Sequence, residues 1–299
     1  MVGFVYNDDQ STQLSTVTLA SGQLSKPLVL RVPQPNAQSV FSAIVYCDPG
    51  VLLTEQMGMA SYQPGDPYRV FELVGAMPGT WSVSAVDVPR TGAGTELASL
   101  KVTVPEIQDS DPDLVYRGTY LTWQKSLPDD LNPGPVLFNA SSGLPGSQVA
   151  RDQSNKDQGP IPEGTYSFLA QLDPKQATVD DANKRQAIQG SGGALAIMNV
   201  DEGIQYLPIG GNGPVYPDWG TLRVRLTPVR GQQFGRGGFY LHNSHKLYSH
   251  GCIEVGRSAS GADFFASLIR YSFTAGSSHS TLSLGVAYTY PGQTTLGAR

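Results

Sequence analysis

Cysteine is nearly absent: Cys47 and Cys252 are the two in 299 residues. Two thiols cannot build the disulfide scaffold that staples many secreted domains, and joining them would silence whichever one is reactive. Histidine is also scarce, with four. Charge is sparse at 15%, and 20 Lys+Arg stand against 25 Asp+Glu for a net charge of −5. This mildly acidic balance has no basic run, so nucleic acid is not an expected partner. No uninterrupted apolar run approaches the roughly 18 residues of a membrane-crossing helix, so no transmembrane segment is expected. The opening residues, Met1-Val-Gly-Phe-Val-Tyr-Asn-Asp-Asp, lack a basic stretch followed by an apolar one, so no signal peptide is expected.

What is present points to strands. Thirty-four Gly and 22 Pro accompany short β-branched and alternating runs, the composition of an all-β protein, mostly β with few helices. In residues 1–108 such runs lie at Thr16–Leu19, Pro27–Val32, Val40–Tyr46, Tyr68–Leu73, Thr80–Val86 and Leu97–Val104. Turn residues separate them, which predicts an N-terminal immunoglobulin-like β-sandwich with Trp81 in its core and Cys47 as a buried, inert strand thiol. Pro105–Asp113 is acidic, polar and bracketed by prolines, the signature of a linker. A second β-rich domain is expected over 114–299. Its strand candidates are Leu121–Trp123, Val136–Asn139, Gly164–Leu169, Leu222–Leu226, Gly238–His242 and Leu282–Tyr290. Apolar residues at Phe264, Phe265, Leu268 and Ile269 predict a helix over Ser260–Tyr271, and residues 172–190 read as a surface loop or short helix. No internal repeat is found.

Three of the four histidines and one of the two cysteines fall within Gly238-Phe-Tyr-Leu-His242-Asn-Ser-His245-Lys-Leu-Tyr-Ser249-His250-Gly251-Cys252-Ile253-Glu254. A thiolate is the reactive form of cysteine, and a nearby imidazole can take the thiol proton and leave an ion pair. His242 ends a strand candidate, and the residues after it can turn and return the chain, placing imidazole beside thiol. Gly251 allows close backbone approach or an unusual φ, and N–H groups around Gly251 and Cys252 can receive a developing oxyanion. Cys252 is thus the candidate nucleophile, His242 the base, and His250 a supporting hydrogen-bond partner, with Ser249 and Gly251 in the same turn. The class of reaction that fits is acyl transfer through a thioester. His245 remains an alternative base, although a solvated loop residue is its plainer reading, as it is for His279. Two other readings cover the same residues: zinc held by His242, His245, His250 and Cys252, or a buried structural cysteine beside surface histidines. Neither CxxC nor HExxH stands nearby to support the zinc set.

Upstream, Trp219 precedes Arg223 and Arg225, which share one face of a strand by alternation. They can meet the carboxylates of an anionic ligand or be ordinary exposed arginines. Arg236 and Arg257 flank the motif and admit the same two readings. Trp219, Arg223, Tyr240 and Asn243 are the candidate substrate contacts.

Ser249-His250-Gly251-Cys252-Ile253, after an earlier histidine, resembles the signature of the L,D-transpeptidase family of peptidoglycan enzymes. His242 precedes Cys252 by ten positions, closer than in most of that family. This spacing and Glu254 look like the branch of L,D-transpeptidase-like toxins exported by type VI secretion systems. Gln158-Gly-Pro-Ile-Pro-Glu-Gly164-Thr-Tyr166 and Trp123–Gly146 are similar to other segments of that branch, so the resemblance spans about residues 115–290 in order. Asn243 departs from the glycine that often follows the early histidine, and the N-terminal domain has no counterpart.

The resemblance implies a C-terminal L,D-transpeptidase-like β catalytic domain that needs no cofactor. Cys252 would attack the carbonyl between the L-centre of meso-diaminopimelate and terminal D-Ala of a peptidoglycan tetrapeptide stem. The acyl group would pass to water, to a free D-amino acid or to a second stem. With no signal peptide, the expected setting is synthesis in a bacterial cytoplasm and delivery as an antibacterial effector to the periplasm or cell wall. An immunity protein and a secretion-machine spike or adaptor would then be partners. Two alternatives are a resident or phage-borne cell-wall L,D-transpeptidase with a wall-binding N-terminal module, and a non-enzymatic structural or delivery component of a secretion machine.

Overall fold

The computed structural model describes residues 2–31, 43–54, 60–62, 70–87, 93–125, 135–171, 203–207, 209–210, 213–214, 218–244, 246–258, 261–274 and 281–297. His245, His279 and the segment 172–190 lie outside the described residues. The fold is mostly β, and the chain separates into two compact units, residues 1–109 and 110–298.

The first unit contains β1 (Gly3–Tyr6), β2 (Thr16–Thr18), β3 (Leu28–Arg31), β4 (Ala43–Cys47), β5 (Val51–Leu53), β6 (Ala60–Tyr62), β7 (Leu73–Gly75), β8 (Gly79–Asp87) and β9 (Thr95–Val104). A five-stranded sheet, β2-β9-β8-β4-β6, and two ribbons, β1-β3 and β5-β7, supply one core. Phe4, Leu28 and Leu30 from the first ribbon and Val51 and Leu73 from the second join Val45, Val83, Leu100 and Val102 of the sheet. Trp81 sits at the margin of this core, half-buried, with its indole N–H donated to Met77 O at 2.8 Å. Cys47 is a free thiol that burial, with Asp48 beside it, pushes up to about 12.

The second unit contains β10 (Leu114–Tyr116), β11 (Tyr120–Trp123), β12 (Val136–Ser141), β13 (Gly164–Leu169), β14 (Ile204–Tyr206), β15 (Ile209–Gly210), β16 (Gly213–Pro214), β17 (Leu222–Arg225), β18 (Thr227–Arg230), β19 (Tyr240–His242), β20 (Ile253–Ser258), α1 (Phe264–Thr274) and β21 (Thr281–Val286). Ten strands form one sheet in the order β14-β17-β19-β20-β12-β11-β10-β21-β13-β18. Only Leu226 separates β17 from β18, yet β17 is second from one end of that order and β18 is at the other. The sheet therefore curls on itself, and Leu226 bonds Phe239 O at 2.8 Å in the bend.

One face of this curled sheet is the core. Leu114, Leu121, Phe138, Tyr166, Val224, Leu241, Ile253 and Leu284 point into it. Asp263 starts α1 with its carboxylate on the Ala266 N–H at 2.9 Å, a capping geometry worth about 1 kcal/mol. The helix then buries Phe264, Phe265 and Leu268. Phe264 meets Trp123 and Phe138 at ring-centroid distances of 5.9 and 5.3 Å, so the helix that follows the motif packs on β11 and on β12, the neighbour of β20. Ser260, where the sequence predicts the helix to start, lies outside the described residues, and the helix begins after Asp263. Asp113, the last residue of the expected linker, belongs to the second unit: its carboxylate accepts the Ser283 N–H and O–H at 2.8 and 2.7 Å.

Candidate active site

The site lies on the other face of the curled sheet. Gln205, Arg223, His242, Glu254 and Ser141 occupy consecutive register positions across β14, β17, β19, β20 and β12. Paired residues share a face because strand side chains alternate. The adjacent positions, Ile204, Val224, Leu241, Ile253 and Ala140, point to the core. All five polar residues are nonetheless only 1–3% exposed. A polar row this deep is costly unless each member is compensated.

Arg223 is compensated by a hydrogen bond from Nε to Gln205 Oε1 at 2.9 Å and by two rings, with its guanidinium 5.1 Å from Trp219 and 4.6 Å from Tyr240. The Trp219 ring stands edge-on to Tyr240 at 5.3 Å and tilts over His242 at 5.4 Å. Of the two sequence readings of Arg223, the exposed one does not hold: it is among the largest fully buried side chains. Glu254 is compensated from the loop above, its carboxylate accepting the Leu247 N–H at 2.9 Å and the Tyr248 N–H at 3.3 Å. That turn contains Leu247 at φ +59, a left-handed conformation that costs a non-glycine residue roughly 1–2 kcal/mol. The Leu247 carbonyl is also held, by Gln148 Nε2 at 2.7 Å.

β19 and β20 are parallel, with Leu241 opposite Ile253 and His242 opposite Glu254. The chain after His242 does return to lie beside it, but in the parallel sense rather than as a hairpin. Cys252 stands one residue before β20, which places it level with Tyr240 and diagonal to His242. Cys252 is 7% exposed, and its thiol donates weakly to Gly238 O at 3.8 Å. Burial pushes it up to about 11, against which the Tyr240 backbone N–H, Arg223 and Arg236 pull down. His242 is held down to about 3 by burial first and by Arg223 second. Both groups are therefore neutral at rest, in place of the ion pair that sequence reasoning allowed. Among the described residues His242 Nδ1 has no hydrogen-bond partner.

The turn that presents the thiol is fixed through its backbone. The Cys252 carbonyl accepts hydroxyls from Ser142, at 2.8 Å, and from Ser249. Ser142 Oγ also accepts the Ile161 N–H at 2.8 Å, and the Ser249 N–H reaches Gly143 O at 3.0 Å. Gly251 takes φ +100, a conformation open to glycine and unfavourable for side-chain-bearing residues. His250 is exposed, and its Nδ1 lies 2.8 Å from Asp157 O. A carbonyl only accepts, so Nδ1 is the donor in this contact.

Asn243 is committed to structure. Its Oδ1 accepts the Thr221 and Leu222 N–H groups, each at 2.8 Å, and its Nδ2 donates to Thr221 Oγ1 at 3.0 Å. Tyr240 is buried with Arg223 over its ring. Of the four residues in the zinc reading, His245 lies outside the described residues. Among the described residues no three His, Cys, Asp or Glu side chains gather into a metal-holding group.

Sequence reasoning missed Ser142 and Gln205. The signal for Ser142 was Asn139-Ala-Ser-Ser, a polar ending on an otherwise apolar strand. For Gln205 it was the alternation in Ile204-Gln-Tyr.

No family model matches the chain, and no curated protein does. Among solved structures, the chain is similar to fibronectin(III)-like modules of Clostridium thermocellum CbhA at 16% identity and a TM-score of 0.23, over 36% of this chain and 100% of that one.

Proposed function

We propose that this protein is a cysteine acyl-transfer enzyme acting on the tetrapeptide stems of peptidoglycan, as an L,D-carboxypeptidase or by L,D-transpeptidase exchange. The observation that carries this reading is a nearly buried thiol, Cys252, one residue before β20, set diagonally from a buried neutral imidazole, His242, on the adjoining strand β19. The Ser249–Ile253 resemblance supplies the substrate class.

Attack forms a bond from Cys252 Sγ to the stem carbonyl carbon while the thiol proton passes to His242. The carbonyl electrons collect on oxygen, which the N–H groups around Gly251 and Cys252 stabilise. Collapse of that intermediate breaks the C–N bond, and the proton leaves with the departing D-amino acid as its amine. Water, or the amine of a D-amino acid or second stem, then attacks the thioester and restores the thiol. Because both groups rest neutral, the proton moves as the attack occurs, and no standing thiolate awaits the substrate.

The resemblance to exported toxins extends the reading to an antibacterial effector. Intact-mass analysis of purified tetrapeptide muropeptides incubated with the protein tests the chemistry. Loss of D-Ala that disappears in Cys252→Ala supports it, and exchange on adding a free D-amino acid identifies the transferase branch. Equal product from a folded Cys252→Ala protein would sink the mechanism.

A further inference from the structure

Arg236 has no place in the mechanism above, yet its side chain is among the most committed near the thiol. Nη1 donates to Gln153 O and, at 2.7 Å, to Pro160 O, and Nη2 donates to Gly159 O at 2.7 Å. The guanidinium lies 5.5 Å from the Phe239 ring. It also rests on Gly251, where an added Cβ would fall onto Nη2. The turn that aims it is strained: Phe234 has φ +53, Gly235 has φ +69, and the Arg236 N–H closes back on Gln233 O at 2.9 Å. A non-glycine residue held in the left-handed region persists where its surroundings over-determine it.

Three neutral carbonyls take up hydrogen bonds but cancel no charge. The groups facing the thiol are Arg223 from β17, Tyr240 and His242 from β19, and Arg236 from the turn before β19. Those facing Arg236 are Tyr288, Tyr166 and Asp157, besides Cys252. Of this set, the residues that bring positive charge to the sulfur are Arg223 and Arg236, because His242 stays neutral.

We infer that Arg236 is a positioning residue for the nucleophile: it clamps the Gly251–Cys252 turn to the 153–160 segment and supplies one of the two positive charges that stabilise the sulfur when it ionises. This rests on the reading of Cys252 as the nucleophile. It also accounts for Gly251 by space as well as by φ, since a side chain there would displace the guanidinium.

The test uses the full chain with Arg236→Gln, which keeps an amide donor for the carbonyls but no charge, and Arg236→Lys, which keeps the charge. Ultraviolet thiolate absorbance is titrated with pH and corrected by subtracting the same protein carrying Cys252→Ala. Arg236→Gln should raise the Cys252 midpoint by about one pH unit, and Arg236→Lys should restore most of the shift. A parental midpoint in folded Arg236→Gln would overturn the inference. So would an Arg236→Lys midpoint about one pH unit above the parent's, and this second outcome decides the matter even if the glutamine variant fails to fold. No substrate is involved, so failure here is distinguishable from failure to turn over muropeptides.

Discussion

Arg223 and His242 are register partners across β17 and β19, and the guanidinium adds to burial in keeping the imidazole neutral. The pairing has a consequence for stability. In the unfolded chain His242 takes up a proton below its ordinary value of 6.5, but in the folded chain it resists until about 3. The stability associated with neutral His242 is therefore fully present above pH 6.5 and is lost as pH falls through that window. The rate of loss is on the order of 1.4 kcal/mol per pH unit. Urea unfolding across this range should show a shallower decline in His242→Gln than in the parent. Parallel declines would mean that His242 titrates normally.

Glu254 governs the loop that delivers the motif. Its two oxygens hold the N–H groups of Leu247 and Tyr248, and Leu247 occupies a conformation that needs holding. Glu254→Gln replaces one acceptor by an amide N–H that faces another N–H. The expected cost is about 1–3 kcal/mol of stability. Displacement of the Ser249–Cys252 turn should lower acyl transfer by about tenfold to a hundredfold. Thermal unfolding and muropeptide turnover measured on the same preparation check both parts, and a variant with parental turnover would separate the loop from catalysis.

How far the sequence anticipates this site depends on the range of the interaction. Alternation alone puts Arg223 and Arg225 on one face, and the pairing with His242 and Tyr240 bears that out. Alternation says nothing of burial, because the elements that cover Arg223, such as Trp219 and Tyr240, are brought to it by tertiary structure. The strand β20 was not foreseen, since Gly256 and Arg257 interrupt its apolar pattern, yet its register with β19 sets the placement of Cys252 relative to His242. Of the expected strand over Tyr68–Leu73, residues 68–69 lie outside the described residues, and β7 spans Leu73–Gly75, with Phe71 making an isolated bridge to Leu28. The all-β class was legible because it rests on short-range composition. The commitments of Ser142 and Arg236 were not, because each joins segments far apart in the chain, and that of Glu254 was not, because it turns on the local backbone conformation at Leu247 and Tyr248.

Ser142 and Ser249 both donate to the Cys252 carbonyl, so their effects should not add. Ser249→Ala leaves Ser142 on that oxygen and should cost less than about 1 kcal/mol. Ser142→Ala also strands the buried Ile161 N–H and should cost about 1–3 kcal/mol. The double variant should lose more than the sum, because only then is the carbonyl left with neither hydroxyl. A double-mutant cycle on unfolding free energies measures the coupling, expected at about 0.5–3 kcal/mol. Zero coupling would show that the two hydroxyls do not share the carbonyl in solution.

Asn243 follows His242 directly and anchors the end of β19 to the start of β17. One carbonyl oxygen serves two backbone N–H groups, and Gly220 packs against it so closely that a Cβ there would meet Asn243 Oδ1. Asn243→Asp keeps the acceptor for both N–H groups, exchanges the Nδ2 donor for a carboxylate oxygen that the Thr221 hydroxyl can meet, and adds a charge that the two N–H groups face, so it should stay closer to the parent in stability than the alanine variant. Asn243→Ala strands both N–H groups and should cost about 1–3 kcal/mol, while freeing His242 to drift from Cys252. If Asn243 serves position rather than substrate contact, turnover in the alanine variant should fall chiefly in kcat, with KM for muropeptide little changed. A rise in KM at constant kcat, shared by Asn243→Asp, would instead assign the side chain to the substrate.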